Sequence, residues 1–202
     1  MWDNEFKRKA QHDAHEVLCF LLDPDNAVHK ECTPETCCAH KMQAVFALNL
    51  CSRLACTAPK CSWVSAAKHT LALDIAVCVR ETHLQDLISD FKSPEHVRYN
   101  EGCKCKRLFS KSNDLEPLGQ VLLIHLKRFD NEGEKKLDHV TFPNDFTLGH
   151  VRYVFAAAIE HQGKSIGGGH YIAHVQAKDL LRCDDETVTK TTWGRIAATQ
   201  AY

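Results

Sequence analysis

The clearest potential for acid–base chemistry lies in a histidine that follows three glycines and in an acidic pair later in the chain. His170 comes directly after residues 167–169, which are all glycine, and Asp184 and Asp185 follow further on. An imidazole can take the proton of a nucleophile when a carboxylate orients it and stabilises its charged form. Each piece alone is more typical of a surface histidine or a solvated acidic turn, but together they predict a catalytic pair.

A hairpin would bring these residues together. The pattern around His170 is that of a strand, and the stretch 177–179 can turn the chain back. In such an antiparallel pair, His170 would lie opposite the region from Asp184 to Glu186. Successive strand residues point to opposite faces, so Cys183 faces away from His170 if Asp184 faces it. We therefore expect a hydrogen bond between His170 and Asp184.

Hydrophobic periodicity predicts helices early in the chain. Apolar residues at helical spacing predict a helix over 14–21 that ends at the Asp-Pro pair 23–24. The polar, cysteine-containing stretch 24–40 is expected to be a loop. Thr82 and Gln85 have capping-box spacing ahead of further apolar residues, which predicts a short helix there.

Strand patterns dominate the rest of the chain. Alternating apolar residues predict a single strand over 71–79, and further strands over 153–159 and 171–175. The continuous apolar run 121–124 is typical of a strand that is buried on both faces. Short helices followed by many strands indicate an α+β fold.

Composition narrows the class of protein. The 202 residues include 25 basic and 26 acidic side chains, a formal net charge of −1, which argues against a general polyanion binder. The chain shows no membrane-spanning apolar run and no signal peptide. Its 11 cysteines are an odd number, so thiols or metal ligands fit better than a disulfide framework. We expect an intracellular protein of the cytoplasm or nucleus that binds neither nucleic acid nor membrane.

Four segments spread over nearly the whole chain carry distinctive sequences, namely 11–16 (QHDAHE), 123–129 (LIHLKRF), 137–143, and 167–173 (GGGHYIA) followed by 183–188 (CDDETV). In this order they resemble the ubiquitin-specific proteases (USP), which are ubiquitin carboxyl-terminal hydrolases. Residues 11–16 (QHDAHE) resemble the family's QDAHE box, and 123–129 (LIHLKRF) resemble its HLKRF strand. Residues 137–143 match the segment that follows that strand. Residues 167–173 (GGGHYIA) and 183–188 (CDDETV) resemble the family's histidine box and its acidic partner.

The resemblance implies a fold of the papain-like cysteine protease superfamily, with palm and fingers and with most of the thumb missing. A remnant of the thumb is expected over 1–40, a region containing the fingers over 41–115, and the palm with the histidine box over 116–202. The resemblance also implies protein deubiquitination as the reaction.

By the same resemblance, the catalytic residues are His170, Asp184 and Asp185, with Asp184 as the carboxylate that orients the imidazole. The residues implied in binding the ubiquitin tail are Asp13, Glu16, Gly168, Gly169 and Tyr171. Carboxylates suit the arginines of that tail, and glycines let one backbone approach another. His125, within an apolar run, is interpreted as a structural histidine that is hydrogen-bonded in the core. The residues 127–129 are interpreted as the end of that strand, and a contact with ubiquitin is the alternative.

This chain departs from the family where the nucleophile is concerned. Family members carry a cysteine box well upstream of the QDAHE helix, whereas none of the ten residues before Gln11 is cysteine. A tryptophan that usually stands four residues before the acidic pair is replaced by Leu180. Neither Cys19 nor Cys183 corresponds to the family's nucleophile. We therefore expect the nucleophile to be absent from this chain.

The resemblance also implies a structural zinc ion in the fingers, held by two Cys-x-x-Cys pairs in the family. The corresponding residues are Cys56, Cys61, Cys103 and Cys105, with one pair spaced wider and the other narrower than the family pattern. Four thiolates can hold zinc in a tetrahedral site. A finger that keeps its fold without the metal is the alternative. Possible substitute ligands are Cys51 and, more weakly, Cys32, Cys37 and Cys38.

Three functions remain open from the sequence. The first is thiol-dependent hydrolysis of the peptide or isopeptide bond after the last glycine of ubiquitin, with ubiquitin and ubiquitinated proteins as partners and no cofactor for catalysis. The second is a pseudoprotease that binds ubiquitin without cutting it. The third is a truncated remnant that folds poorly. With no matching nucleophile, the chain alone is expected not to hydrolyse a ubiquitin reporter.

Overall fold

The computed structural model describes residues 12–23, 33, 35–72, 75–78, 82–98, 103–105, 108–117, 119–130, 132–165 and 167–202. Helices in these residues are α1 (Ala14–Leu22), α2 (Cys38–Phe46), α3 (Leu84–Lys92) and α4 (Trp193–Ala197). The first six strands are β1 (Leu48–Cys56), β2 (Lys68–Ala72), β3 (Ile75–Cys78), β4 (Thr82–His83), β5 (Glu95–Arg98) and β6 (Leu108–Pro117). Later strands are β7 (Ile124–Lys127), β8 (Val140–Thr141), β9 (Asp145–Leu148), β10 (Val151–Val154), β11 (Ala157–Ser165), β12 (Gly168–Gln176), β13 (Leu180–Asp184) and β14 (Thr187–Lys190).

Helix α1 confirms the first predicted helix. Asp13 caps it, with its Oδ1 accepting hydrogen bonds from the amides of His15 (2.8 Å) and Glu16 (3.0 Å). Asp23 at its other end is extended, as expected for a residue that precedes proline. Helix α2 already begins at Cys38, so the predicted loop over 24–40 is wrong at its end.

Helix α3 confirms the second predicted helix but not its predicted cap. The N-cap residue is His83, which makes no capping hydrogen bond with its side chain, and Thr82 belongs to β4. The capping-box prediction is therefore wrong. What holds this helix is its apolar face, because Leu84, Leu87 and Ile88 are buried at helical spacing.

A four-stranded sheet in the order β2-β1-β6-β5 occupies the first half of the chain. Strands β1 and β6 pair antiparallel over nine positions, from Leu48 with Pro117 to Cys56 with Phe109. Cys56 therefore ends its strand beside the loop that leads to Cys61, and the segment carrying Cys103 and Cys105 precedes β6. Because β1 and β6 are paired, the loop after β1 and the segment before β6 lie at the same end of the sheet.

The single strand predicted over 71–79 is wrong. Its first part is β2, which pairs antiparallel with β1, and its second part is β3, which pairs in parallel with β7. Leu73 and Val79 lie outside the described residues, as do Gln11 and Cys32. The alternating residues 71–79 thus contain two strands that pair with different partners. A local pattern does not show which strand will pair with which.

Two other strand predictions need correction, and one is confirmed. The run 121–124 becomes strand only at its last residue, because β7 begins at Ile124 and Val121 is 37 % exposed. The stretch 153–159 contains the end of β10 and the start of β11. Strand β12 includes the whole of 171–175 and lies inside a sheet of order β11-β12-β13-β14.

The main core lies between α3 and strands of the first and middle parts of the chain. Its buried members include Leu48, Ile75, Leu87, Leu126 and Val140, with Ala201 from the C-terminus. Helices and strands occur in separate segments, which confirms the α+β class. Within the described residues, no helix has the length and apolar character needed to cross a membrane.

Candidate active site

The hairpin of β12 and β13 positions the histidine and the aspartate. Its ladder runs from the pair Ala173–Cys183 to a turn at 177–179, where the amide of the first residue donates to the carbonyl of the last (3.0 Å). His170 lies on β12 beyond the last ladder pair, and Asp184 is the last residue of β13. This arrangement places both side chains at the same end of the hairpin, as the sequence predicted.

The two side chains form a short hydrogen bond, with 2.5 Å between Nε2 of His170 and Oδ1 of Asp184. The His170 side chain is 41 % exposed and that of Asp184 is 29 % exposed, so the pair lies at the surface. This bond raises the pKa of the His170 imidazole and lowers the pKa of the Asp184 carboxyl. Since Nε2–H donates to Asp184, the other ring nitrogen, Nδ1, can take up a proton.

Asp185 lies beside the pair. Its backbone has a φ of 49°, in the left-handed region, at the turn between β13 and β14. A ligand atom from each of His170, Asp184 and Asp185 lies within 4.8 Å of the others, and the Asp185 charge contributes to the raised pKa of His170. Within the described part of the chain, no cysteine joins this cluster.

The glycines before His170 do not share one purpose. A Cβ on Gly167 would meet nothing within 4 Å, whereas a Cβ on Gly169 would lie 2.3 Å from Nε2 of His161. A Cβ on Gly163 would lie 2.8 Å from Cε1 of the same ring. The buried His161 ring therefore already occupies the space beside Gly169 that the sequence analysis assigned to a ligand's backbone. Burial lowers the pKa of His161, and the charge of Lys135 lowers it further.

Asp13 has a role that the sequence did not predict. Its Oδ1 caps α1, and its Oδ2 accepts a hydrogen bond from the hydroxyl of Tyr202. Burial and the Asp13 carboxylate raise the pKa of this tyrosine. Glu16, in the first turn of α1, is exposed. Of the two acidic residues expected at the ubiquitin tail, Glu16 is therefore the more accessible one.

These residues line a pocket of about 240 Å³. Its lining residues are Asp13, His15, Glu16, His125, Lys127, Arg128, Phe129 and Tyr202. His125 is half-buried there, with its ring stacked on that of His15 at 3.9 Å between centroids. The prediction that His125 is a core residue is therefore wrong, because strand β7 presents it to the pocket.

Tyr171 connects this pocket with the histidine strand. Its ring lies 4.8 Å from that of His161 and 5.9 Å from that of Tyr202, between ring centroids. Burial raises the pKa of its hydroxyl, and the Asp13 charge adds to that shift. Tyr171 and Gly169 thus pack on the same buried ring, that of His161, one residue either side of His170.

Three contributors to this region were missed from the sequence. Arg128 is fully buried, and Tyr202 and His161 form the wall between the pocket and the glycines. A fourth residue, Arg182, binds Asp184, with 2.8 Å between its Nη2 and Oδ2 of the carboxylate. Of these four residues, only Arg182 could have been found from the sequence. It lies two residues before Asp184 on a predicted strand, and residues two apart on a strand share a face.

The four cysteines expected at a metal site do converge. One sulfur from each of Cys56, Cys61, Cys103 and Cys105 lies within 4.8 Å of the others. Mutual hydrogen bonding with Cys61, and then with Cys103, raises the pKa of the Cys105 thiol to about 12. A tetrahedral zinc site with Zn–S distances of about 2.3 Å requires sulfurs about 3.8 Å apart, so this donor set fits zinc with a small contraction.

Other cysteines lie elsewhere. Among the described residues, Cys37, Cys38 and Cys51 do not belong to the four-sulfur cluster. Cys183 lies in the middle of the sheet, paired with Ala173 on one side. The exposed Cys19 lies on α1 with its sulfur 3.6 Å from Nε2 of His15. Neither cysteine joins the cluster around His170.

Known proteins resemble this chain over its whole length. The family model described as ubiquitin carboxyl-terminal hydrolase matches residues 1–202. Ubiquitin carboxyl-terminal hydrolase 17-like protein 5 of Homo sapiens is 28 % identical over 225 residues, which cover 98 % of this chain and 41 % of that protein. The 17-like protein 6 of the same organism is also 28 % identical, with 54 % of its length covered. The chain thus spans about half, or less, of these curated relatives.

Solved structures share the fold. A chain of the SAGA DUB module Ubp8/Sgf11/Sus1/Sgf73 bound to monoubiquitin superposes with a TM-score of 0.79 at 23 % identity, covering 96 % of this chain and 47 % of that one. A chain of the module bound to ubiquitin aldehyde gives a TM-score of 0.77 at 24 % identity, covering 100 % and 50 %. These similarities show that the chain shares its fold with these solved chains, in agreement with the predicted α+β class.

Proposed function

Because the chain belongs to the ubiquitin carboxyl-terminal hydrolase family, we propose that it is part of a deubiquitinating domain. The reaction is thiol-dependent hydrolysis of the peptide or isopeptide bond at the C-terminal glycine of ubiquitin. The observation that carries this proposal is the 2.5 Å hydrogen bond between His170 and Asp184, formed by two segments that match the family's histidine box and its acidic partner. Ubiquitin and ubiquitinated proteins are the proposed partners.

His170 acts in this proposal as base and then as acid. Nδ1 takes the proton of an attacking thiol, and the thiolate forms a bond to the carbonyl carbon of the terminal glycine. The same nitrogen returns the proton to the departing amine, and water then releases ubiquitin from the thioester. Asp184 stabilises the imidazolium formed in between, and Asp185 adds negative charge beside it.

The pocket on α1 is the proposed site for the ubiquitin tail. Glu16 and Asp13 offer carboxylates to a basic tail, and Phe129 offers an aromatic wall. Arg128 also lines the pocket, but its side chain is fully buried and donates to carbonyls of the protein itself, so its role there is to support the pocket floor. Gly168, Gly169 and Tyr171 are proposed to line the path from this pocket to His170.

The pocket proposal is tested by titrating labelled ubiquitin into the purified chain. We expect weak binding, which Glu16→Lys abolishes because it reverses the charge that faces the tail. Glu132→Lys makes the same change at an exposed position outside the pocket and should leave binding unchanged. Equal binding by the parent and by Glu16→Lys would contradict this assignment.

The catalytic proposal is tested with a fluorogenic ubiquitin reporter. No cysteine matches the family's nucleophile, and loss of a nucleophile costs many orders of magnitude in rate. We therefore expect no hydrolysis above background from these 202 residues. Robust cleavage that disappears in His170→Ala would contradict this expectation and would identify one of the chain's own thiols as nucleophile, with Cys19 and Cys183 the first to replace.

Binding without cleavage is the second candidate function. It is favoured by one observation, namely that no described cysteine joins the cluster around His170. The two assays separate the candidates, since a binding module retains ubiquitin affinity and shows no turnover. A chain with neither property would support the third possibility, a remnant that folds poorly.

A structural zinc ion is proposed for the four-cysteine cluster. As thiolates, Cys56, Cys61, Cys103 and Cys105 would hold the ion and tie the loop after β1 to the segment before β6. Their thiols must lose protons to bind, so zinc affinity should rise with pH. We expect zinc in the purified protein, its loss in a Cys61→Ser, Cys105→Ser double variant, and its retention in Cys51→Ser. Absence of zinc from the parent, with all four thiols alkylated, would contradict the proposal.

The division of the chain remains a proposal. The β2-β1-β6-β5 sheet, with the four cysteines at its end, supports a region containing the fingers over 41–115. The β11-β12-β13-β14 sheet supports a palm over 116–202, and 1–40 is proposed as the remnant of the thumb. An intracellular location, in cytoplasm or nucleus, is supported by the nine cysteines whose side chains are described, none of which forms a disulfide.

A further inference from the structure

The two oxygens of the Asp184 carboxylate have different partners. Oδ1 lies 2.5 Å from Nε2 of His170, and Oδ2 lies 2.8 Å from Nη2 of Arg182. The side chain of Arg182 is 34 % exposed, so it is partly shielded from water. The carboxylate is thus bound on both sides, by a ring that can lose its proton and by a guanidinium that cannot.

The strand places Arg182 where it can do this. Arg182 and Asp184 are two residues apart on β13, so their side chains share a face. Backbone pairing holds this strand on both sides, since Arg182 pairs with His174 on β12 and with Thr189 on β14. Asp184 itself is the last residue of β13, and Asp185 beyond it is in a left-handed turn. The guanidinium therefore comes from the better-fixed part of the strand.

We infer that Arg182 is a positioning residue for the pair: it holds Oδ2 of Asp184 and thereby directs Oδ1 at Nε2 of His170. A carboxylate bound through one oxygen can still rotate about its side-chain torsions, whereas contacts to both oxygens define its plane. The inference deepens the proposed function and rests on the assignment of His170 and Asp184 as catalytic.

The surroundings leave few other charges to act on the pair. On Asp184 the acting charges are His170 and Arg182, and on His170 they are Asp184, Asp185 and Arg182. On β11, Glu160 is bound to His174 (3.2 Å). The residues paired with His170, Arg182 and Asp184 on the flanking strands β11 and β14 are the uncharged Gln162, Thr189 and Thr187.

Arg182 acts on His170 in two opposite ways, and this makes its role measurable. Its positive charge directly lowers the pKa of the imidazole. By holding Asp184 in place, it preserves the hydrogen bond that raises the same pKa. Replacement of Arg182 by a neutral residue therefore raises the His170 pKa if the arginine is only a nearby charge, and lowers it if the arginine positions the carboxylate.

The experiment is an NMR titration of the His170 imidazole in the 202-residue chain, which needs no turnover and no ubiquitin. We expect Arg182→Met to lower the His170 pKa towards 6.5 and Arg182→Lys, which keeps the charge, to lower it less. Lys190→Met removes a surface cation that is bound to Asp179 on the same sheet and should leave the titration unchanged. An unchanged or raised pKa in Arg182→Met would overturn the inference.

A second background separates positioning from charge. In Asp184→Asn there is no carboxylate left to orient, so adding Arg182→Met can act only through lost charge and should raise the His170 pKa. A fall of the pKa in this background as well would overturn the inference, because it would show an effect that does not pass through Asp184. If Arg182→Met fails to fold, Arg182→Ala, which is also neutral, takes its place in both backgrounds with the same expected and contradicting results. Failure of the chain to bind or cleave ubiquitin would bear on the proposed function and not on this result.

Discussion

Arg128 ties the end of β7 to a loop that follows it closely in the sequence and to the C-terminal segment. Its side chain is fully buried at the end of β7 and donates hydrogen bonds to the carbonyls of Lys136 (3.2 Å), Asp138 (2.7 Å) and Ala201. Burial lowers the pKa of its guanidinium. Arg128→Met would keep most of the aliphatic volume and would remove all three donors.

The expected loss of stability can be estimated from these bonds. A hydrogen bond to a charged group contributes about 1.5–3 kcal/mol, so three of them contribute roughly 5–9 kcal/mol. Desolvation of the buried charge, which the variant avoids, offsets several kcal/mol of that sum. We therefore expect Arg128→Met to lower the free energy of unfolding by about 3 kcal/mol.

Urea unfolding, followed by circular dichroism at neutral pH, measures this loss as a shift of the midpoint. The matched control is Arg152→Met, since Arg152 is 70 % exposed and bound only at the surface to Asp145 (2.9 Å). An exposed ion pair contributes about 0–1 kcal/mol. A loss in Arg128→Met that lies within about 1 kcal/mol of the Arg152→Met value would refute the role of Arg128 as a buried tie.

Two further outcomes are expected. Gly169→Ala should lower the free energy of unfolding in urea by about 1–3 kcal/mol, because the new Cβ would lie 2.3 Å from the buried His161 ring. The control Gly167→Ala should change it by less than about 0.5 kcal/mol, because a Cβ there meets nothing within 4 Å. Equal losses in the two variants would contradict this packing. Asp184→Asn should reduce stability most between about pH 4 and 6.5. Because the pKa of His170 is raised, its contribution to the free energy of unfolding is complete below pH 6.5 and is lost as the pH rises through its folded-state pKa. Because the pKa of Asp184 is lowered, its contribution is complete above pH 3.8 and is lost as the pH falls through its folded-state pKa. Unfolding measured at pH 5 and pH 8.5 checks this, and a larger deficit at pH 8.5 would show that the sign is wrong.

Local sequence patterns predicted the parts of the fold that depend on local contacts. The helix after Asp13 and the hairpin that joins His170 to Asp184 each lie within a short stretch of chain, where period and turn chemistry decide the structure. The pairing of Ile75 with Ile124 could not be predicted in this way. Parallel strands are not joined by a short turn that the sequence would show, so one alternating pattern predicts one strand where the fold has two.

Side-chain roles were predictable where a residue type is tied to a reaction. The type and spacing of His170 and Asp184 indicated a pair, and their geometry agrees with it. A glycine is less informative, because its missing side chain indicates free space but not which group fills that space. The room beside Gly169 was assigned to a ligand, yet a ring eight residues earlier, His161, occupies it. That ring could be placed only after the register of β11 against β12 was known.

The candidate pocket and the candidate catalytic pair share a wall, and this links binding to the position of His170. Tyr202 donates to Asp13, which caps the helix that carries the pocket's acidic face. Its ring also packs near that of His161, which in turn contacts Gly169, the residue directly before His170. A displacement of the tyrosine or of the helix start therefore reaches the backbone of β12 through one buried ring. Since closely packed interiors transmit such displacements, we expect occupation of the pocket to change the alignment of His170.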